Sequence, residues 1–304
     1  MTVTGVGVVR DDTLSGADVV GDVHVSWAAV SDVGRSRETN EDAALAIPGL
    51  YVVADGMGGH DRGEVASEAA LESLRAAERA DIAATRLSIV DRLDAAQQDI
   101  AGIDSASGRS AGTTVTGIAL VDDPTGPQWL VFNIGDSRTY RYAAGQLDQV
   151  TTDHSQVQEL VAAGYLTVEQ ARVDPRRNVI TRALGAGMPP DADFVYLPAV
   201  AGELILICSD GLPGELPDAE IEAILTDHPD VVDAADALVE AAVATGGRDN
   251  VTVVVVAVTD APAAPDPAAT ETAATETTMD HPLVADADAA DQVDGPDEGT
   301  GPRT

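Results

Sequence analysis

Four apolar segments of this chain each adjoin an aspartate, and this pattern constrains the fold and the chemistry more than any other feature. Three of them end at Asp55, Asp136 and Asp210, and a fourth, residues 251–258, begins shortly after Asp249. Runs of about five to eight apolar, β-branched residues bounded by Gly or Asn are typical of buried strands. An aspartate at such a boundary lies where the core ends and a loop begins. We therefore expect the four aspartates to converge at one edge of a sheet structure.

Such a convergence predicts a divalent cation. Clustered carboxylates repel one another unless a cation neutralises them, and hard divalent cations prefer oxygen ligands. The pair Glu41-Asp42 lies just upstream and adds two more carboxylates. The sequence therefore indicates a Mg²⁺ or Mn²⁺ centre.

Two neighbouring segments support this interpretation but do not require it. The glycines that follow Asp55 permit close approach of the backbone, so that the Gly56 carbonyl can act as a ligand. Taken alone, the segment fits a tight turn equally well. Arg37 carries the fork-shaped guanidinium that binds phosphate with two hydrogen bonds. For that segment alone, a solvated charged loop is the more common situation.

Composition limits the partners and the location that we expect. The formal net charge is −35, and all 17 basic residues are Arg. This balance disfavours nucleic acid and anionic membranes, which are bound by basic patches. Cys208 is the only cysteine, so no intrachain disulfide is possible. Residues 1–12 lack a signal peptide, and the apolar run 251–258 is far shorter than the ~20 residues of a membrane span. We therefore expect a cytoplasmic protein. We also expect it to be a monomer.

The chain divides into three parts. Residues 260–304 consist mainly of Ala, Asp, Glu, Thr, Pro and Gly. Low hydrophobicity and charge of one sign predict a disordered acidic tail. The dispersed polar residues of 1–22 predict a flexible N-terminal arm. Residues 23–259 remain as one folded domain.

The hydrophobic periodicity of this domain predicts an α+β fold. Antiparallel pairing is expected because several strand candidates follow one another in the manner of hairpins. The strand candidates are 23–30, 43–46, 50–54, 113–121, 129–134, 138–142, 194–197, 203–208 and 251–258. The helix candidates are 64–79, 81–100, 218–225, 230–245 and two short segments that start after the capping residues Ser155 and Thr167.

Several alternative phosphate chemistries are excluded by the residues themselves. A cysteine-nucleophile phosphatase needs an arginine six positions after the cysteine, where this chain has Gly214. Cys208 lies among apolar residues and is better explained as core. A phosphate-binding loop of the Gly-Lys type is impossible without lysine, and the five scattered histidines show no zinc-binding spacing. A two-metal hydrolase with oxygen ligands remains.

A series of short motifs then points to a family. In chain order they are Arg37-x-x-Asn40-Glu41-Asp42, Asp55-Gly-Met-Gly-Gly-His60-x-x-Gly63-Glu64, Gly112-Thr-Thr-Val115, Gly135-Asp-Ser-Arg138, Asp153-His-Ser155, Arg177-Asn-Val-Ile-Thr-Arg182, Cys208-Ser-Asp-Gly211 and Gly247-x-Asp249-Asn250. With them, residues 23–258 resemble the bacterial metal-dependent protein serine/threonine phosphatases of the type 2C group. The N-terminal arm and the tail lie outside this resemblance.

The resemblance implies a fold and a metal centre. The fold is a four-layer αββα sandwich, in which helices flank two antiparallel β-sheets and a binuclear centre lies at one end. Two Mn²⁺ or Mg²⁺ ions are implied for each subunit. Asp55 would bridge them, the Gly56 carbonyl would bind one ion, and Asp210 with Asp249 would bind the other. Asp136 and Asp210 would hold a third, weaker ion.

The resemblance also implies roles around that centre. Glu41 and Asp42 would hold waters of the metal site, and Arg37 would bind the substrate phosphate. His60 is the positional candidate for the acid that protonates the leaving alkoxide, although a structural role explains it equally well. Residues 151–185 correspond to the mobile flap that bacterial members use near the substrate.

The implied activity is hydrolysis of phosphoserine and phosphothreonine by direct attack of a water held between the two ions. The expected substrates are phosphorylated proteins, cytosolic Ser/Thr kinases among them. Two alternatives stay open: a catalytically inactive regulatory relative that binds phosphoproteins, and a phosphatase of sigma-factor regulators. The strong negative charge predicts a preference for phosphosites flanked by Arg or Lys.

Overall fold

The strands and helices of the chain form four stacked layers. The computed structural model describes residues 7–58, 62–103, 110–124, 126–185, 187 and 190–262. The strands are β1 Gly7–Val9, β2 Thr13–Val20, β3 Val23–Asp32, β4 Asp42–Ile47, β5 Leu50–Met57, β6 Gly112–Thr113, β7 Val115–Asp123, β8 Gly126–Ile134, β9 Arg138–Ala143, β10 Gln146–Gln149, β11 Leu184–Gly185, β12 Asp193–Pro198, β13 Leu204–Cys208 and β14 Val251–Asp260. The helices are α1 Arg62–Arg75, α2 Ile82–Ala101, α3 Gln156–Ala162, α4 Val168–Val173, α5 Gly211–Glu215, α6 Asp218–Asp227 and α7 Val231–Thr245.

Two antiparallel sheets make the inner layers. The first has the strand order β1-β4-β5-β7-β8-β12, with β6 and β11 beside β5, and the second has the order β10-β9-β13-β14-β3-β2. In the first sheet, the register of β4 and β5 places Asp42 opposite Asp55. Strand pairing, as well as loop conformation, therefore positions the candidate metal-site residues.

Three apolar cores separate the four layers. Between the sheets, the core includes Trp27, Tyr51 and Trp129. Helices α1 and α2 cover the other face of the first sheet, and helices α5, α6 and α7 cover that of the second. Burial of a large apolar side chain stabilises a fold by about 1.5–3 kcal/mol, so each core is a substantial contribution. The predicted αββα sandwich is confirmed.

The valine run of β14 shows why the central strands have no polar alternation. Val254 and Val256 face the core between the sheets, whereas Val253 and Val255 face the core beneath the helices. Successive side chains of a strand point to opposite faces, and here both faces are covered. A continuous apolar run is the result. The apolar segments that precede the aspartates have the same origin.

The N-terminal arm is a correction to the sequence analysis. Residues 7–20 of the predicted arm are ordered in β1 and β2, which pair with β4 and β3 respectively. Most β2 side chains are only partly buried because it is an edge strand, and its mixed polarity therefore resembled a loop. The pairing that orders it involves backbone groups, which leave no signal in the side-chain pattern.

Some features lie outside the predictions. Helix α5 and strand β10 are short and were not predicted; each has at most five residues. The predicted acidic tail lies almost wholly outside the described residues and stays a prediction. In the part of the chain that the structure describes, no helix combines the length and the apolar character needed to cross a bilayer.

Candidate metal centre

The strand-end aspartates meet in one cavity. Asp55, Asp136, Asp210 and Asp249 line a space of about 650 Å³ at one end of the sandwich. Arg37, Glu41 and Gly56 line the same space. Asp42 is buried immediately behind it, opposite Asp55 on the neighbouring strand. The structure thus brings together all the predicted site residues that it describes; His60 lies outside the described residues.

Strand β5 positions Asp55 and Gly56 in the wall of the cavity. The Asp55 carbonyl accepts hydrogen bonds from the Thr114 backbone, at 2.9 Å, and from the Thr113 hydroxyl, at 2.9 Å. The Gly56 amide donates to the Glu41 carbonyl at 3.2 Å. A Cβ atom at Gly56 would collide with the Gly63 carbonyl oxygen, so only glycine permits helix α1 to approach this closely.

The loop that precedes β4 carries Arg37 and Glu41. Its conformation depends on Asn250, whose side-chain amide donates to the carbonyls of Val33 and Thr39 and whose oxygen accepts from the Glu41 amide at 2.9 Å. Arg37 donates to a carboxylate oxygen of Asp249 at 2.7 Å. A guanidinium that is nearly half exposed therefore lies beside the acidic cavity wall.

Asp136 lies in the turn between β8 and β9. Gly135 adopts a positive φ of 108°, and a Cβ atom there would clash with Thr114. The Gly135 amide donates to Nδ1 of the buried His154 at 3.1 Å, and its carbonyl accepts from the His154 amide at 2.8 Å. The Thr114 hydroxyl joins this turn to β5, because it is 2.7 Å from the Ser137 hydroxyl and accepts from the Asp55 amide.

The carboxylates of the cavity outnumber the cationic side chains beside them, and the protein compensates their charge only in part. Burial, followed by the charges of Asp42, Asp210 and Asp136, raises the pKa of Asp55 well above its usual range. Burial and the neighbouring Asp249 raise the pKa of Asp210 to about 6. Burial and Asp210 raise the pKa of Asp42 to about 7. Among the described residues that line the cavity, Arg37 is the only cationic side chain.

This donor set fits a divalent cation. Asp42 is almost completely buried, and its Oδ2 atom has no hydrogen-bond partner in the structure. An unsatisfied buried carboxylate oxygen is costly unless a cation or an ordered water completes its environment. Carboxylate and carbonyl oxygens are the ligands that Mg²⁺ and Mn²⁺ prefer. Over the described ranges, no three His, Cys, Asp or Glu side chains are arranged around a common ion position.

Several residues at the cavity were not singled out by the sequence analysis. They are Met57, Gly58, Ser110, Thr114, Asn178, Ile180 and Asn250. Most of them belong to the motifs that carry the family resemblance. The motifs therefore marked these segments of the chain, although they indicated no role for the individual residues. Cys208, by contrast, is completely buried in the core, as expected, and burial raises the pKa of its thiol.

A second cavity of about 390 Å³ adjoins the first and shares Asp136 and Asp210 with it. It lies beneath α3 and α4, which belong to the predicted flap. Arg172 of α4 donates to the carbonyls of Pro213 and Leu216, so the flap contacts the body of the domain. The three arginines that line this cavity are Arg138, Arg172 and Arg177.

Comparison with known proteins identifies relatives of this chain. The family described as protein phosphatase 2C matches residues 34–246. The serine/threonine protein phosphatase PstP of Mycobacterium tuberculosis is 38% identical over 242 residues, which are 77% of this chain and 45% of that protein. Protein phosphatase PhpP of Streptococcus pneumoniae is 34% identical over 245 residues, which are 77% of this chain and 98% of that protein.

A solved structure shows the same fold with metal. It is the catalytic domain of the serine threonine protein phosphatase PstP in complex with two manganese ions, which has a TM-score of 0.68 and 36% identity and covers 78% of this chain and 99% of that one. This chain spans about half the length of the mycobacterial relative and nearly all of the streptococcal one. A family match across most of the folded residues, supported by relatives matched over nearly their full length, shows that the chain belongs to the protein phosphatase 2C family.

Proposed function

We propose that this protein is a metal-dependent protein serine/threonine phosphatase that hydrolyses phosphoserine and phosphothreonine. The observation that carries the proposal is the cavity in which one exposed guanidinium, Arg37, faces a cluster of buried and half-buried carboxylates. A phosphoryl group needs a fork-shaped cation of this kind, and uncompensated carboxylates need metal ions. The names of the relatives support the same activity.

The cofactor in this proposal is a pair of Mn²⁺ or Mg²⁺ ions, with a third that binds more weakly. Asp55, the Gly56 carbonyl, Asp210 and Asp249 would hold the pair. Asp136 and Asp210 would hold the third ion. When bound, these cations supply Lewis acidity, which activates water and neutralises phosphoryl charge. The two manganese ions in a relative of 36% identity support the pair.

The protein's own groups then bind and orient the substrate. Arg37 reaches the phosphate from the rim, where its present contact with Asp249 holds the guanidinium over the carboxylates. A guanidinium in this position offsets negative charge on the phosphoryl oxygens as it builds up. Glu41 and Asp42 would accept hydrogen bonds from waters of the site. Ordered waters in these positions would satisfy the Oδ2 atom of Asp42 that lacks a partner.

The leaving alkoxide must gain a proton, and His60 remains the proposed donor. A His60→Gln variant tests this role. We expect a larger loss of kcat on a phosphopeptide, whose alkoxide is a poor leaving group, than on p-nitrophenyl phosphate, whose phenolate leaves without protonation. Equal losses on the two substrates would assign His60 a structural role instead.

We propose phosphorylated proteins as the substrates, with cytosolic Ser/Thr kinases among them, and a monomeric enzyme that acts in the cytoplasm. The flap, residues 151–185, borders the cavity through Asn178 and Ile180 and would contact the polypeptide around the phosphosite. The formal net charge of −35 favours phosphosites with basic neighbours.

The activity is tested with p-nitrophenyl phosphate and a phosphothreonine peptide in the presence of Mn²⁺. We expect wild-type protein and the surface control Glu220→Gln, which lies on the exposed face of α6, to hydrolyse both. Asp55→Asn and Asp249→Asn should be inactive although folded. Full activity of Asp55→Asn would reject the assignment, and phosphopeptide binding without turnover by the wild type would support the inactive regulatory alternative.

A further inference from the structure

The connection between β1 and β2 contacts the loop that leads into the metal centre. We call residues 10–12 the N-terminal corner; they lie outside the stretch 34–246 that matches the family. Strand β1 pairs with β4 of the first sheet, and β2 pairs with β3 of the second, so the corner passes from one sheet to the other. The Ser31 amide donates to the Asp12 carbonyl at 3.1 Å and fixes the corner at the cavity end of β3.

Resting on the function proposed above, we propose that Arg10 and Asp11 are positioning residues of the metal centre. Their hydrogen bonds fix the positions of Asn40 and Glu41. Through these two residues they orient Asp42 and the backbone amide of Gly56. Neither Arg10 nor Asp11 lines the cavity. Their effect on metal binding must therefore be transmitted through the loop.

Arg10 binds three groups on two different elements. Its guanidinium donates to the Asn40 carbonyl at 2.8 Å, to the Glu64 carbonyl at 3.1 Å and to the Ser67 hydroxyl at 3.2 Å. Its side chain is only 16% exposed. A rigid fork with five donors can make these contacts simultaneously, which an ammonium group cannot do with the same geometry. Arg10 thereby ties the 33–41 loop to helix α1.

The contact with Ser67 continues to the cavity. The buried Ser67 hydroxyl donates to the Glu41 carbonyl at 2.7 Å. The same carbonyl accepts the Gly56 amide at 3.2 Å, and the Glu41 carboxylate accepts the Gly63 amide at 3.2 Å. A hydrogen-bond chain therefore joins Arg10 to the backbone amide of Gly56, the residue whose own carbonyl is the proposed metal ligand.

Asp11 and the Ser31 hydroxyl, which accepts from the same Asn40 nitrogen at 2.9 Å, orient the Asn40 side chain. The Asp11 carboxylate accepts from the Asn40 amide nitrogen at 2.8 Å. This hydrogen bond turns the NH₂ group of Asn40 toward the corner. The Asn40 oxygen then faces the other way and accepts the Asp42 amide at 3.1 Å. Asp11 itself adopts a φ of 51°, a left-handed conformation that Asp and Asn tolerate better than most residues do.

Outer partners of this kind affect metal affinity because they orient the groups that hold the ion. Their loss typically reduces metal affinity or activity by about 10–100-fold. The left-handed backbone of Asp11 provides a matched pair of variants. Asp11→Gly keeps the backbone conformation and removes the acceptor, whereas Asp11→Asn keeps both an acceptor and tolerance of that conformation.

Full-length variants are compared by calorimetric titration with Mn²⁺, together with thermal unfolding and p-nitrophenyl phosphate hydrolysis. We expect Arg10→Ala and Asp11→Gly to weaken Mn²⁺ binding by about tenfold. Asp11→Asn should bind Mn²⁺ within about threefold of wild type. Asp18→Asn serves as the control, because Asp18 lies on β2 and accepts from Trp27 and Tyr51, without a hydrogen bond to the 33–41 loop in the structure.

The outcomes separate positioning from general stability. Asp18→Asn should lower the melting temperature without changing Mn²⁺ affinity. Mn²⁺ binding by Asp11→Gly at wild-type affinity would overturn the proposal, and so would an equal loss of affinity in Asp18→Asn at a similar melting temperature. If wild-type protein binds Mn²⁺ but hydrolyses no phosphoester, the proposed function fails, while the affinities of the variants still decide the role of the corner.

Discussion

Two buried acids of this protein show how a structural carboxylate differs from a functional one. Glu203, next to β13, is only 2% exposed, yet it accepts from the Trp129 indole at 2.9 Å, the Arg141 guanidinium at 2.6 Å and the Val200 amide at 3.0 Å. Asp42 is 1% exposed, and among the described residues no group donates a hydrogen bond to its Oδ2 atom. The fold provides hydrogen-bond donors for both carboxylate oxygens of Glu203. Among the described residues it provides none for one of the two oxygens of Asp42.

The difference also appears in the local electrostatics. Glu203 is paired with a guanidinium, whereas Asp42 lies close to Asp210 and opposite Asp55. Like charges directly opposite on paired strands destabilise a sheet. A protein keeps such an arrangement only where another component completes it, and here the donor set indicates divalent cations. The two acids therefore predict opposite responses to mutation.

The largest expected effect is loss of activity without loss of stability. Asp210→Asn should reduce Mn²⁺-dependent hydrolysis of p-nitrophenyl phosphate by about a thousandfold or more, equivalent to ~4 kcal/mol of barrier, because a proposed ligand of two ions loses its charge. Its metal-free unfolding free energy should equal or exceed that of wild type, since one repelling carboxylate is removed. Kinetics and urea unfolding measure the two quantities. A strongly destabilised Asp210→Asn protein would mean that the carboxylates of the cavity support the fold in the way that Glu203 does.

The converse is expected at Glu203. Glu203→Ala should lower the free energy of unfolding by about 3 kcal/mol, because the Trp129 indole and the Arg141 guanidinium lose a buried partner. The activity of the fraction that remains folded should be unchanged. Urea unfolding and active-fraction kinetics at low temperature provide the measurements. A proportionate fall in kcat in fully folded protein would mean that Glu203 acts on the site as well.

The metal-free protein should become less stable as the pH rises through about 6 to 7. The pKa values of Asp210 and Asp42 are raised by burial and neighbouring charge to about 6 and about 7. The folded state therefore binds more protons than the unfolded state above pH ~4, and this stabilisation is lost as these groups ionise. We expect a decrease on the order of 4 kcal/mol between pH 5 and 8, measured by urea unfolding with a chelator present.

Saturating Mn²⁺ should reverse that slope, because a cation that binds ionised carboxylates stabilises the folded state more as protons leave. Asp42→Asn without metal should show a shallower pH dependence than wild type. An unchanged slope in both tests would mean that the buried carboxylates do not titrate in this range.

The smallest effect concerns the substrate. Phosphopeptides with flanking arginines should be hydrolysed several-fold faster, in terms of kcat/KM, than acidic ones at low ionic strength, because the net charge of the protein is strongly negative. The ratio should approach one near physiological salt, where the Debye length is ~8 Å. Equal rates at low salt would show that local contacts outweigh the overall field.

Much of the fold could be predicted because the signals were local. The valines of β14 and the apolar run of β13 appear where hydrophobic periodicity placed them. The edge strand β2 was missed because its partly exposed side chains give no clear period, and its order depends on pairing with β3. A backbone interaction of this kind cannot be recognised in a residue pattern.

The candidate site divides in the same way. Asp55 and Asp210 could be identified because each follows a buried strand, and strand ends meet at sheet edges. Arg10 gave no sequence signal, since its partners Asn40 and Ser67 lie 30 and 57 residues away. Nothing in the sequence distinguished Glu203 from Asp42 as a structural acid.

The sequence by itself determined the antiparallel strands with their flanking helices, the strand-end aspartates and the oxygen-rich chemistry that they indicate. These follow from the runs of apolar residues and from the kinds of side chain present, whereas the four-layer sandwich was implied by the family resemblance. Only the tertiary structure decided which acids are satisfied and which are not, and that the N-terminal corner supports the 33–41 loop. Charge compensation depends on distances between residues far apart in the chain, and folding alone sets those distances.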